Sequence, residues 1–201
     1  MQMRHYKMTN MDNNIKTTDA TRNPLLQPYT TPFEAIPFDK IEIAHILPAI
    51  KAGIEDEERE IAAITNNGDA PTFENTIVPF EKSGATISKV TSVLNTFMNV
   101  RNDEEIQELS EEAYSLLTEH SNNIYLDEKL FARIKAVHDN AAPSLNGEQQ
   151  RLLLTIYDSF VKAGANLDDT QKEKYRELTQ KLNKLELKFQ ENTLKETDSF
   201  S

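Results

Sequence analysis

The amino-acid sequence predicts an all-α protein of about six helices, several of them long and bent, preceded by an extended, proline-rich segment. Three observations support this fold class. Apolar residues recur at steps of three and four over most of the chain, which is the period of a helix with one buried face. Helix-capping and turn-forming residues separate these stretches. Alternation of apolar and polar residues, the pattern of strands, never continues beyond four residues.

The first part of the chain differs from the rest in composition. Residues 1–22 are polar and aperiodic, so we expect a disordered tail or leader there. The next stretch contains four prolines, which fix φ and remove hydrogen-bond donors, and this favours an extended segment. These prolines are Pro24, Pro28, Pro32 and Pro37. Because large apolar residues accompany them, we expect the segment to lie across a helical surface. We interpret residues 23–201 as one helical unit.

The first two helices follow from an apolar stripe and a cap. The stripe runs from Ile43 to Ile64 and ends at the turn Asn66-Asn67-Gly68-Asp69. Pro48 would occupy an early turn of this helix or kink it. Thr72 is a plausible N-cap of a second helix that extends to about Val100. We expect a bend in it, because Pro79 and Gly84 weaken its middle.

Three further helices are each marked by a capping residue. Asp103 precedes a third helix that extends through Leu117, and Asp127 precedes a shorter fourth through Val137. After a break at residues 141–143, Asn146 precedes a fifth helix that ends before Gly164. The fifth is apolar around much of its circumference, which predicts a central position.

The sixth helix begins at Asp168 or Asp169 and carries an apolar seam of two heptads. The seam consists of Tyr175, Leu178, Leu182, Leu185 and Phe189. One interpretation is a coiled-coil dimer, and the other is a helix that packs against its own neighbours. We favour the second, because free coiled coils usually need about three to four heptads. No residue run repeats at a fixed period clearly enough to indicate a solenoid.

Charge and composition exclude several classes of function. The net charge is −11 and no cluster of Lys and Arg is present, so we expect no nucleic-acid binding. The densest basic stretch, Lys172 to Lys188, is interleaved with glutamates, as on a solvated helix face. No apolar run approaches the roughly 18 residues of a membrane helix, and no secretory signal is visible. With no cysteine in the chain, we expect a soluble, cytoplasmic protein.

The candidate catalytic and metal-binding residues do not form a recognisable site. The four histidines are His5, His45, His120 and His138, and no two lie one helical turn apart as a helical zinc site requires. Each is more simply a surface or helix-end residue. The runs of carboxylates are interpreted as solvated helix faces, because acid–base chemistry needs a pocket that perturbs their pKa. The sequence also lacks a phosphate-binding glycine loop. We therefore predict no catalytic and no metal-binding residue in this chain, and the substrate-binding residues stay unassigned.

Several short motifs nevertheless occur in a distinctive order. They are Asn23-Pro24-Leu25-Leu26, Thr31-Pro32-Phe33, Pro37-Phe38-Asp39-Lys40-Ile41, His45-Ile46-Leu47-Pro48-Ala49, Ala70-Pro71-Thr72-Phe73-Glu74-Asn75-Thr76-Ile77 and Phe160-Val161-Lys162-Ala163-Gly164-Ala165-Asn166-Leu167. In this order they resemble the N-terminal region of the thimet-oligopeptidase family of zinc metallopeptidases. Within the family the similarity is greatest to bacterial peptidyl-dipeptidases, with oligopeptidase A next, and it covers about residues 23–195.

The resemblance implies a function for the longer protein and a supporting role for this segment. It implies a mostly helical peptidase in which a His-Glu-x-x-His helix and a later Glu hold zinc, and none of these residues occurs in this chain. The segment would wall a channel that admits short, unstructured peptides, with the absent catalytic part as its intramolecular partner. We expect a monomer that releases C-terminal dipeptides in its full-length form and is inactive alone. The alternatives are an oligopeptidase that cleaves internally and a free-standing, non-enzymatic helical binding protein.

Overall fold

A computed structural model describes residues 23–101, 103–141 and 144–199. The predicted tail 1–22 and the predicted break at Pro143 lie outside these residues. The described chain forms helices joined by short turns, and no strand occurs within it. The helices are α1 Ile46–Thr65, α2 Val78–Lys82, α3 Ala85–Val100, α4 Glu104–Tyr125, α5 Glu128–Ala141, α6 Gly147–Lys162 and α7 Asp169–Ser199. The all-α prediction of about six helices is confirmed, with the short α2 and α3 taking the place of the predicted second helix. Within the described residues, no helix is both long and apolar enough to cross a membrane.

The proline-rich segment consists of single 3₁₀ turns joined by residues in extended conformation, such as Gln27, Thr31 and Ile41. The turns are Pro24–Leu26, Pro32–Glu34, Phe38–Lys40 and Ile43–His45. The Asn23 side chain accepts a bond from the Leu25 N–H (3.0 Å) and donates one to the His45 carbonyl (2.7 Å). Leu25 is completely buried, whereas Phe33 is fully exposed. The segment therefore lies across the helices, as predicted. Only some of its apolar residues are buried there, however.

The predicted second helix is divided at the bend that its glycine suggested. A π-helical turn, Phe73–Ile77, precedes α2, and the chain breaks at Ser83 and Gly84 before α3 begins. Thr72 is the N-cap, and its hydroxyl accepts a bond from the Asn75 N–H (3.1 Å). Gly84 has φ of +70°, a left-handed conformation that glycine adopts without steric cost.

The caps predicted for the later helices are present. The carboxylates of Asp103, Asp127 and Asp168 each accept a bond from a backbone N–H in the first turn of α4, α5 and α7. Asn146 does the same for α6 and forms a reciprocal capping box with Gln149. Each cap satisfies an N–H that would otherwise lack a partner, which explains why these helices begin where the sequence indicates.

Two apolar clusters form the core, and α1 and α4 contribute to both. The upper cluster contains Leu25, Ile41, Ile46, Ala49, Ile50, Val90, Val93, Leu94, Ile106 and Ala113. The lower cluster contains Ile61, Ile64, Phe73, Ile77, Ile124, Leu130, Phe131, Ile134, Val137, Leu153, Ile156 and Phe160. The N-terminal segment and α3 thus cover one end of α1, and α5 and α6 cover the other.

The positions of the last two helices differ from the sequence expectations. In α6 one face is buried, including Leu153 and Phe160, while Leu154 and Val161 are exposed, so α6 is a peripheral helix rather than the central one. In α7 the seam residues Leu178, Leu182 and Leu185 are each more than half exposed. The interpretation that this seam packs against neighbouring helices is therefore wrong for the described chain.

Candidate functional site

The described histidines lie at separate places and have structural contacts. At the start of α1, Nδ1 of His45 accepts a bond from the Glu42 N–H (3.0 Å). His138 stacks on Tyr157, with 4.0 Å between the ring centroids. His5 lies outside the described residues. Within the described ranges, no group of three or more His, Asp and Glu side chains is arranged to hold a metal ion.

A buried hydrogen bond between two side chains joins α1 to α4. Oε2 of Glu57 lies 2.9 Å from Nε2 of His120, and these side chains are 15% and 5% exposed. The Ser83 hydroxyl is shared between the Phe80 carbonyl (2.8 Å) and Oε1 of Glu57 (3.2 Å), and Glu60 accepts a bond from the Gly84 N–H (3.0 Å). The other ring nitrogen of His120, Nδ1, is buried without a partner among the described residues. The bend before α3 is thus held by hydrogen bonds to two carboxylates of α1, those of Glu57 and Glu60.

The chemistry available at this junction is limited. A carboxylate can orient an imidazole for proton transfer, but the catalytic pattern needs a nucleophile or a bound substrate beside the ring. The nearby cleft, about 310 Å³, is largely apolar, with Phe80, Ile87 and Tyr125 in its lining. Burial raises the pKa of the Tyr125 phenol, and the charges of Glu57 and Glu81 raise it further. The phenol therefore stays protonated at neutral pH. The junction as a whole has the features of a contact that holds α1 and α4 together.

A second cleft, of about 630 Å³, lies between the end of α3, the first half of α4 and the last third of α7. Its lining combines side-chain amides and hydroxyls with apolar side chains. The polar lining residues include Asn95, Asn99, Gln107, Ser110, Tyr114 and Gln190, and the apolar ones include Met98, Ile106, Leu187 and Leu194. Since each amide has both a donor and an acceptor, this lining matches the hydrogen-bonding groups of a peptide backbone.

Two interactions organise the cleft. The Tyr114 hydroxyl donates to Oδ1 of Asn95 across α3 and α4, and burial raises the pKa of this phenol, so it remains a donor at neutral pH. At one edge, Arg101 donates to Asp103 (2.6 Å) and Glu105 (3.2 Å). The bond from Arg101 lowers the pKa of the Asp103 carboxyl. The cleft can therefore orient a polar chain, and its lining includes no His, Cys or Ser–His pair for nucleophilic chemistry.

The third wall of the cleft belongs to α7, which rests on α4 through polar side chains. Asn122 donates to the Thr179 hydroxyl (2.8 Å), and Gln180 donates to the Ser115 carbonyl (3.1 Å). Lys172, which is 8% exposed, donates to Glu128 of α5 (2.7 Å). The apolar contribution of α7 to this interface centres on Leu187, which is buried. The helix thus directs a mostly polar face inward.

Sequence reasoning did not identify the residues of these two sites. Glu57 and His120 are 63 residues apart, and the large cleft is built from three helices that are distant in sequence. The one available signal was the spacing of Asn95 and Asn99, which places two amides one turn apart on α3. The prediction that the chain contains no catalytic or metal-binding residue stays a prediction.

Comparison with characterised proteins shows similarity to peptidases along most of the chain. No family model matches the sequence. It is 39% identical over 157 residues to dipeptidyl carboxypeptidase of Salmonella typhimurium, covering 78% of this chain and 23% of that protein. It is 37% identical over 176 residues to the Escherichia coli dipeptidyl carboxypeptidase, covering 87% and 26%. Similarity to Escherichia coli oligopeptidase A is 27% over 176 residues, covering 87% and 25%. The chain spans about a quarter of the length of these relatives.

Proposed function

We propose, since this chain belongs to the thimet-oligopeptidase family through its homology to dipeptidyl carboxypeptidases and oligopeptidases A, that it is the N-terminal helical part of a longer zinc metallopeptidase. The proposed enzyme removes dipeptides from the C-termini of short peptides. The observation that carries this proposal is the identity of 37–39% with dipeptidyl carboxypeptidases over 157–176 residues. The lower identity of 27% with an oligopeptidase A makes internal cleavage the second candidate.

The zinc and the catalytic residues belong, on this proposal, to polypeptide outside the present chain. The described residues do not fit a zinc site, because they offer no suitable group of three or more His, Asp and Glu side chains. We therefore derive no chemical step from the residues of this chain. Its contribution is to bind, orient and restrict the peptide.

The large cleft supports this contribution. A substrate peptide in extended form presents N–H and C=O groups along its length, and the amides of Asn99 on α3 and Gln190 on α7 can pair with them without selecting a side chain. We propose that this surface lies along the channel that admits short, unstructured peptides. The longer protein would act as a monomer in the cytoplasm, and the absence of cysteine is compatible with a reducing compartment. Residues 1–22 would form a tail before the helical segment 23–201.

The first test is to read the gene beyond codon 201. A frame that continues into a His-Glu-x-x-His motif is the expected result. A stop codon directly after Ser201 would contradict the proposal and favour a free-standing helical binding protein.

The second test measures the activity of the longer polypeptide on two substrates of matched sequence. We expect zinc-dependent release of dipeptides from a peptide of about ten residues and none from a folded domain that carries the same residues at its C-terminus. Cleavage of both substrates at similar rates would contradict the channel. Release of internal fragments instead of dipeptides would assign the oligopeptidase activity.

A further inference from the structure

The outer face of α7 is an apolar surface that the described chain leaves uncovered. Its four large residues are Leu178, Leu182, Leu185 and Phe189, with 55%, 55%, 57% and 73% of their surfaces exposed. Phe189, at the end of the stripe, also borders the 630 Å³ cleft. Their spacing of four, three and four residues aligns them along one side of the helix over about 16 Å. A continuous apolar stripe of this kind on a polar molecule marks an interaction surface.

We propose that this outer face is the docking surface for an amphipathic helix with an acidic edge, supplied by the remaining part of the longer polypeptide. This inference rests on the proposed function, because the remaining part is the partner it requires.

The helix α7 lies on α4 and α5 with its polar side inward. Its inner face is held by Thr179, Gln180 and Lys172 through hydrogen bonds to α4 and α5. An ordinary surface helix buries its apolar stripe and exposes its polar face. In α7 the apolar stripe faces outward. The packing of the described chain therefore gives no reason for these four positions to be apolar.

A row of lysines gives the charge of the partner. Lys174, Lys181, Lys188 and Lys195 recur every seven residues, and all four are exposed. With Leu178 and Leu185 at heptad position d, and Leu182 and Phe189 at a, these lysines occupy g, the edge of the stripe that faces a partner helix. They form a basic edge on a chain of net charge −11. A segment with Glu or Asp opposite them is favoured, because opposite charges at these positions stabilise helix pairing.

The same edge disfavours a second copy of this chain. In an antiparallel pair the g positions face one another, so the lysines of two copies would repel. In a parallel pair g faces e, and the e positions offer one acidic partner, Glu186 opposite Lys181. At the other e positions, Lys172 and Thr179 are engaged by Glu128 and Asn122 of the same chain. Two heptads are also fewer than a free coiled coil usually needs. A segment joined covalently avoids this shortfall, because its effective concentration is high.

The relatives supply the length that the partner requires. This chain covers 23–26% of the two dipeptidyl carboxypeptidases, so about three quarters of a protein of that size lies outside it. Such a segment has ample length for a helix that covers two heptads.

The test uses the lack of cysteine in the chain. Leu182→Cys places a thiol on the stripe, and Lys184→Cys places a matched thiol on the same helix away from it. Both variants are prepared in the 201-residue chain and in the longer polypeptide, and the maleimide labelling rate at each site is measured by peptide mass spectrometry. We expect the thiol at 182 to react at least tenfold more slowly in the longer polypeptide, and the thiol at 184 to react at similar rates in both.

The charge of the partner is tested in the longer polypeptide that carries Leu182→Cys. The double substitution Lys181→Glu and Lys188→Glu should restore labelling at least threefold, whereas Lys184→Glu should not. Restoration by both, or by neither, would overturn the acidic edge.

Two outcomes would overturn the docking surface while the proposed function stands. One is a zinc-dependent peptidase whose thiol at 182 labels as rapidly as in the 201-residue chain. The other is protection at 182 that already appears in the 201-residue chain, rises with concentration and accompanies a dimer in light scattering, since the occupant would then be a second copy. Failure of the proposed function is seen separately, as a frame without His-Glu-x-x-His.

Discussion

The Glu57 carboxylate connects three parts of the chain: α1, the bend at Ser83 and the buried ring of His120. Removal of the carboxylate leaves both nitrogens of a 5% exposed imidazole without a partner. We expect Glu57→Ala to lower the free energy of unfolding by about 1–3 kcal/mol, which is the usual cost of a buried polar group left unpaired. Urea unfolding at pH 7 measures this difference.

The adjacent Glu58 is a matched control, because it is exposed and lies on the same helix. Glu58→Ala should change the free energy of unfolding by no more than about 0.5 kcal/mol. Equal effects of the two substitutions would show that the contact with His120 contributes nothing.

Gly84 is the second residue on which the bend depends. Its φ is +70°, and a Cβ there would lie 2.6 Å from Oε1 of Glu57. We expect Gly84→Ala to destabilise the protein by about 1–2 kcal/mol from the left-handed backbone alone, and by more because Glu57 must leave its partners. Thermal and urea unfolding provide the measurement. Gly147→Ala, with open space around the new methyl group, should be neutral or stabilising, and a loss equal to that of Gly84→Ala would contradict this account.

At the scale of elements, the contact between Glu128 of α5 and Lys172 of α7 should make the docking of α7 sensitive to pH. The hydrogen bond from Lys172 lowers the pKa of the Glu128 carboxyl. The stabilisation is therefore complete above the ordinary Glu pKa of about 4.3 and is lost as pH falls through the lowered value of the folded state. We expect Glu128→Gln to be less stable than the unchanged chain at pH 7, and the two to converge in acid.

Urea unfolding at several pH values between 7 and 2.5 tests this expectation. Glu173→Gln removes the same charge from an exposed position of α7 and should show a smaller difference at neutral pH. A difference between Glu128→Gln and the unchanged chain that persists at the lowest pH would exclude the carboxylate as its source.

The helix starts were predictable from the sequence because they depend on local chemistry. The side chains of Asp103, Asp127 and Asn146 each accept a bond from an N–H within three residues. The identities of neighbouring residues are therefore enough to predict where these helices begin. The packing of α6 and α7 was not predictable in this way. Periodicity shows that Leu182 and Leu185 share a face, but it does not show whether that face meets this chain or another segment.

The two sites were harder to predict than the helices. The large cleft requires α3, α4 and α7 to meet, and Glu57 reaches His120 only because α1 and α4 are adjacent. Such contacts depend on tertiary packing and leave no pattern in a single sequence. The ordered motifs from Asn23 to Leu167 indicated the family without any information on these contacts.

The whole molecule should unfold cooperatively, because α1 and α4 each contribute residues to both apolar clusters. Ile46 and Ile50 of α1 belong to the upper cluster, while Ile61 and Ile64 belong to the lower one. We expect Phe160→Ala, in the lower cluster, to cost about 3–5 kcal/mol and to reduce hydrogen-exchange protection in α3 as well as in α5 and α6. Loss of protection confined to α5 and α6 would show two independent units.

The outward stripe of α7 also has a consequence for the time during which the protein is made. A relative of which 157 residues are 23% contains about 680 residues, and on the proposed function a protein of that size would have roughly 480 residues after this N-terminal segment. At about 5–20 residues per second, their synthesis takes about 25–100 s. Throughout that interval the nascent chain would carry a folded N-terminal segment with an uncovered leucine surface. We expect this surface to be the part of the growing polypeptide most in need of protection from aggregation before translation ends.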